Sequence, residues 1–221
     1  MKGLLIKDFH LLKVQRNFFL LIAVIAIGFI MSSNGNNGFI SYAIGFSCFA
    51  SSLFSISTIS YDEFDNGNPF LFSLPFTRKN YVLEKYCFGI IIGFSFWILS
   101  NALTFVYLLF RGFSISEDRL VSSLILIPFF LLILAVMLPL TLKFGGERSR
   151  YAIIGIFGGI LLLGYVSANI IKILPMDLSG VFAFLLSLST GTMIAGVAVI
   201  TLVLLLLSLK ISISIVDRKE F

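Results

Sequence analysis

The sequence predicts an all-α integral membrane protein: six transmembrane helices preceded by an N-terminal amphipathic helix at the membrane interface. Three observations predict it. Hydrophobic residues make up 58% of the chain and charged residues 12%, against roughly 25% charged in a soluble domain, and the mean hydropathy is +1.06. The apolar runs are continuous rather than alternating, so helices and not barrel strands must satisfy the backbone in lipid. The basic residues cluster at those ends of the runs that one orientation places inside the cell.

Residues 1–16, MKGLLIKDFHLLKVQR, repeat Leu4, Leu5, Phe9 and Leu12 at helical spacing, with Lys2, Lys7, Lys13 and Arg16 mostly off that stripe. This pattern predicts a helix lying on the inner membrane surface. No cleavable leader is expected, because the apolar segment runs on as a full hairpin. From Asn17 to Tyr61 there is no charge, a length that suits two spans of about 20 residues. Ser32–Gly38, SSNGNNG, supplies the turn between them. Span 1 is then about 18–33 and span 2 about 39–60.

Charges return in 61–80, and span 3 follows at about 82–110. A polar loop, Arg111–Arg119, leads to span 4 at about 120–142, and KFGGERSR at 143–150 leads to span 5 at about 151–171. The uncharged run 178–209 is long for one span. Its later part, about 190–209, is span 6, and 178–189 reads as interfacial or re-entrant. The tail Lys210–Phe221 follows. With six spans and both termini inside, the outer segments hold only Arg111, Arg119 and Lys172 of the 16 basic residues, which selects this topology. The chain is one transmembrane domain, 1–221.

Several function classes are disfavoured. The net charge of +5 is dispersed between apolar runs, so it reads as topology, and no nucleic-acid partner is expected. There is no GxxxxGK[ST] phosphate loop, and the single histidine, His10, cannot build a His-rich metal site. No catalytic residue, cofactor or metal is therefore expected in this chain. The cysteines, Cys48 and Cys87, read as packing residues. No ionisable residue lies in the middle of any proposed span. That argues against proton coupling and, less strongly, against sodium coupling.

Small residues form stripes. Ser47, Ser51, Ser55 and Thr58 share a face of span 2, Gly89 and Gly93 form a GxxxG in span 3, and Gly155 and Gly159 form another in span 5. Such stripes either pack helices within one subunit or line a subunit interface or translocation path. Asn101 and Asn169 are uncharged polar groups in spans and read first as helix-to-helix hydrogen bonders.

The 61–80 segment, YDEFDNGNPFLFSLPFTRKN, is longer than a hairpin needs. Asn68 can cap a short helix with Pro69 in its first turn, and Leu74-Pro75 should end it. Thr77 can cap the helix into span 3, where Arg78 and Lys79 oppose the helix dipole and so serve membrane orientation or a partner. The aromatic stretch Phe70–Leu74 reads either as a helix resting on lipid or as a knob docking in another protein.

The chain resembles the small six-span permease subunits of the type-2 ABC exporter superfamily. The resemblance rests on MKGLLIKDFHLLK at the N-terminus, the loop YDEFDNGNPFLFSLPFTRKNYVLEKY, the inner loop KFGGERSR and the C-terminal DRKEF. The loop is the most specific: Asp62-Glu63, Asn66-Gly67, Phe70–Leu74-Pro75, Arg78-Lys79 and Tyr81-Val82…Lys85-Tyr86 stand in the family's order, with Pro69 as a departure.

The resemblance implies a type-2 ABC exporter permease fold in a bacterial plasma membrane. It implies a permease that dimerises with a second copy or a homologous permease and binds a separate ABC ATPase, which holds ATP and Mg. ATPase coupling would fall to Asp62, Glu63, Asn66, Gly67, Phe70, Leu71, Phe72, Leu74, Pro75 and Arg78, with a second contact at Phe144, Glu147 and Arg148. Ser47, Ser51, Ser55, Thr58 and Asn169 stand as pathway or packing residues. Some relatives export amphipathic peptides, including phenol-soluble modulins and bacteriocins. The rival readings are a non-transporting scaffold or immunity protein, and an ion-coupled secondary transporter.

Overall fold

The computed structural model describes residues 2–64, 67–113, 117–146 and 189–219, together with Tyr151, Gly155, Gly158 and Tyr165. Seven helices cover the described stretches: α1 (Lys2–Val14), α2 (Arg16–Ser32), α3 (Asn37–Glu63), α4 (Gly67–Phe72), α5 (Arg78–Arg111), α6 (Glu117–Phe144) and α7 (Thr190–Arg218). Of these, α3, α5, α6 and α7 are long and apolar enough to cross a membrane. The α1–α2 pair, bent by 65°, makes a fifth if it is taken as one span. The expected span 5 (151–171), apart from those four residues, and almost all of the 178–189 segment lie outside the described residues.

The helices begin and end where local chemistry dictates. Asn34 and Gly35 take positive φ, at 46° and 83°, which makes the tight turn that the Asn-Gly sequence favours. Asn36 caps α3 by accepting from the Gly38 amide at 2.8 Å. Thr77 caps α5, accepting from Asn80 at 3.2 Å as its sequence position suggests. Gly112 ends α5 in the left-handed region, a conformation that suits glycine.

The last helix, α7, continues past its apolar run as far as Arg218 and buries Ser212 and Val216. One expectation is corrected. The N-terminal helix does not reserve its apolar stripe for lipid headgroups. Leu4 is buried, Leu5, Leu11 and Leu12 pack with Phe54, Phe88 and Ile92, and Phe9 meets Phe88 edge to face at 5.4 Å.

The core lies where α3, α5, α6 and α7 meet, around Ile44, Val82, Tyr86, Phe130, Leu134, Leu138 and Leu205. Lipid offers no hydrophobic drive for helix association, so close approach through small residues matters. A Cβ on Gly93 would lie 2.5 Å from the Phe130 ring, and one on Gly89 3.0 Å from Leu134. The GxxxG of span 3 thus serves α5–α6 packing within the chain. The Tyr86 hydroxyl shares hydrogen bonds with Ser208 and Ser212, at 2.6 and 2.9 Å, which joins α5 to α7 through polar groups inside an apolar core.

The bundle has two distinct ends. At the hairpin end, Arg119 donates to the Gly35 carbonyl at 2.9 Å and to Asn37, and Phe113 lies against Gly35. The opposite, basal end gathers α1, the end of α3, α4, the start of α5, Gly145-Gly146 and the end of α7.

Candidate functional site

The basal end is built around α4, a six-residue helix held between two anchors. It begins at Gly67 rather than after Asn68, which corrects Asn68 as its cap; Pro69 sits in the first turn as expected. Glycine is needed at 67 because a Cβ there would lie 2.7 Å from the Asp62 carbonyl oxygen. At the far end the Ser73 hydroxyl donates to the Phe70 carbonyl at 2.7 Å. The chain then turns through Leu74-Pro75, with the Phe76 amide donating to the Leu74 carbonyl at 2.7 Å.

This helix has two faces. Leu71 is buried at 8% exposure, and Phe72 meets Tyr81 edge to face at 5.3 Å with the Arg78 guanidinium 6.0 Å from its centroid. Phe70 is 73% exposed and Leu74 41%. The sequence-predicted residues therefore divide: Leu71 and Phe72 seat the segment, and Phe70 and Leu74 present it.

Glu63 and Arg78 tie this segment to the rest of the basal end. Glu63 accepts from the Gly146 amide at 2.6 Å and from Lys219 at 3.5 Å. Gly146 has no room for a side chain, since a Cβ would run into Ser60. Arg78 donates to the carbonyls of Val216, Asp217 and Lys219 at 3.0, 2.8 and 2.7 Å. Its cation thereby lies on the last carbonyls of α7, at the negative end of that helix. Phe144, 43% exposed, lies beside Gly145. Glu147, Arg148, Asn66 and Asn169 fall outside the described residues.

Beneath Glu63 lies a charge cluster that the sequence did not single out. Lys85 is wholly buried and donates to Asp8 at 2.6 Å and to the Thr58 hydroxyl at 3.1 Å; it also pairs with Asp62 at 2.7 Å. Asp62 in turn accepts from the Tyr81 hydroxyl at 3.1 Å and from Lys7. Lys7 also lies 3.3 Å from Asp8. Glu84 is fully buried, 3.7 Å from the Lys85 ammonium, and its carboxyl group is hydrogen-bonded to that of Asp8. One signal was present: Asp8 sits four residues after Leu4, so an acid interrupts the apolar stripe of an otherwise basic helix.

The Ser47, Ser51, Ser55 and Thr58 stripe is buried throughout. Ser47, Ser51 and Thr58 donate to carbonyls of their own helix at 2.8, 2.8 and 2.9 Å. The stripe faces α5, with Thr58 on Lys85 and Ser55 beside Gly89. Among the described residues, no group of three or more His, Cys, Asp or Glu side chains could hold a metal ion.

Neither the curated proteins nor the solved structures contain a match to this chain. The model of one protein family, described as ABC-2 family transporter protein, matches residues 3–217, nearly the whole sequence and every element of the basal end. With several apolar helices that can cross a bilayer, the chain is a multi-pass membrane protein that belongs to the ABC-2 transporter family.

Proposed function

We propose that this chain is the permease subunit of an ATP-driven exporter, coupled through α4 to a separate ABC ATPase at the cytoplasmic face. The carrying observation is the division of α4: an exposed Phe70 and Leu74 stand on a base fixed by Leu71, Phe72 and Gly67. An aromatic held out on a rigid support is the kind of anchor that fills a pocket on a partner. ATP and Mg belong to that partner. The basal end faces the cytoplasm on the distribution of basic residues.

The Ser47–Thr58 stripe is turned inward against α5, so the translocation path is better placed between two copies of the chain, or between this chain and a homologous permease. Apolar outer faces support that placement. On α2, Leu20, Leu21 and Val24 are more than half exposed, and on α7 so are Val199, Ile200 and Leu206. A path walled by such faces suits amphipathic peptides as substrate.

The test is co-purification of the chain with the ABC ATPase co-expressed from its own source. Wild type is expected to retain the ATPase and Phe70→Asp to lose it. Phe70 is a cleaner probe than Phe72, whose ring also seats the segment on Tyr81. Retention of the ATPase by Phe70→Asp at wild-type yield would refute docking through α4. Transport driven by an ion gradient without ATP would instead identify a secondary transporter.

A further inference from the structure

The most crowded charges at the basal end surround Glu84. Buried polar groups have partners almost without exception, and Glu84 finds its own in another acid. Its carboxyl group is hydrogen-bonded to that of Asp8, and the Lys85 ammonium is 3.7 Å from its Oε2. That ammonium is instead seated on Asp8 and Asp62, at 2.6 and 2.7 Å. Three buried carboxylates surround one buried ammonium, and the one left over is within a short swing of it.

The position of Asp62 gives this arrangement a direction. Asp62 lies in the last turn of α3, and its carbonyl oxygen is the atom against which Gly67, the first residue of α4, is packed. A displacement of α4 therefore bears directly on Asp62. Glu84 and Lys85 belong to α5, and Asp8 belongs to α1. A movement of roughly 1 Å brings Lys85 from 3.7 Å to ordinary charge-assisted hydrogen-bond distance of Glu84.

We propose that Lys85 is a positioning residue with two seats, Asp62 and Glu84, and that the coupling segment's displacement transfers it from the first to the second. In the first seat, α1, α3 and α5 are locked together at the base of α4. In the second, Asp62 and α4 keep only their Tyr81 contacts with α5, while Lys85 keeps Asp8 and therefore α1. Two discrete packings of this kind form a bistable element, which a bound partner can bias. The inference rests on α4 being the ATPase-coupling segment, but part of its test does not.

The test uses spin labels at Ile6 on α1 and Ser73 after α4, both exposed, with the full chain in lipid nanodiscs. For the permease alone, one short α1–α4 distance is expected. Asp62→Asn weakens the first seat and should bring out a second, longer distance without any ATPase or nucleotide. With the ATPase and ADP–vanadate, wild type should populate that same longer distance, and Glu84→Gln should reduce its population at least about fivefold. Opposite shifts from two neighbouring carboxylates are the signature of a switch; a merely structural role would broaden both variants alike.

In a Lys85→Met background, Glu84→Gln should have no further effect, since the pair acts as a unit. The two carboxylate variants suffice if Lys85→Met does not fold. An Asp62→Asn distance identical to wild type, or a nucleotide-bound distance untouched by Glu84→Gln, would overturn the proposal. Failure of the ATPase to bind would count against the coupling reading alone, because the Asp62→Asn arm needs no ATPase.

Discussion

The two ends of this bundle are closed by different physics. At the hairpin end, backbone geometry fixes the chain: Asn34 and Gly35 turn in the left-handed region, Asn36 caps α3, and Arg119 rests on the Gly35 carbonyl. Such contacts have one good arrangement. At the basal end, buried charges fix the chain, and Lys85, with three N–H donors, has four acceptors within reach: Asp8, Asp62, Glu84 and the Thr58 hydroxyl. The comparison teaches that one end is built to stay as it is, and the other to exchange partners.

The largest expected effect is at the basal end. Lys85→Ala removes the cation from three buried carboxylates, and breaking a buried pair in this way costs about 3–5 kcal/mol. Thermal unfolding in detergent should show a clear loss of Tm. Gly146→Ala comes next, because its Cβ collides with Ser60; overpacking of this kind costs about 1–3 kcal/mol. Measured by the same unfolding assay, it should also loosen the Glu63 contact.

Arg119→Ala at the hairpin end removes two hydrogen bonds from a part-buried guanidinium and should cost about 1–2 kcal/mol, leaving the labelled α1–α4 distance unchanged. Equal losses at the two ends would break the contrast. Phe70→Asp should be the smallest, within about 0.5 kcal/mol, since the side chain is exposed. A large loss of Tm there would mean that Phe70 supports the fold and not a partner.

Features set by neighbours in sequence were legible before the structure. The Ser32–Gly38 turn, the Thr77 cap and Pro69 in the first turn of α4 all follow from residues a few positions apart, whereas α4 ends at Phe72, two residues ahead of the stop expected at Leu74-Pro75. What escaped was set by distant partners. Lys85 and Glu84 stand at the edge of an apolar run, where charge reads as a marker of orientation; only Asp8, from a separate helix, shows Lys85 to be buried. Asp62 and Glu63 were read as one acidic pair. The structure separates them, with Asp62 turned inward to Lys85 and Glu63 toward Gly146 and Lys219. The continuation of α7 to Arg218 was hidden because Lys210 ends the apolar run, and the cation that caps those last turns is Arg78 on α5.

That cap has a consequence for biogenesis. Arg78 leaves the ribosome 138 residues before Val216, the first carbonyl it binds. At bacterial-to-eukaryotic elongation speeds the interval is roughly 7–28 s. Throughout it, the guanidinium beside Phe72 waits for its acceptors, and the basal platform lacks one of its ties. On the coupling reading proposed above, an ATPase that grips α4 meets a fully tied platform only once the end of α7 has been made.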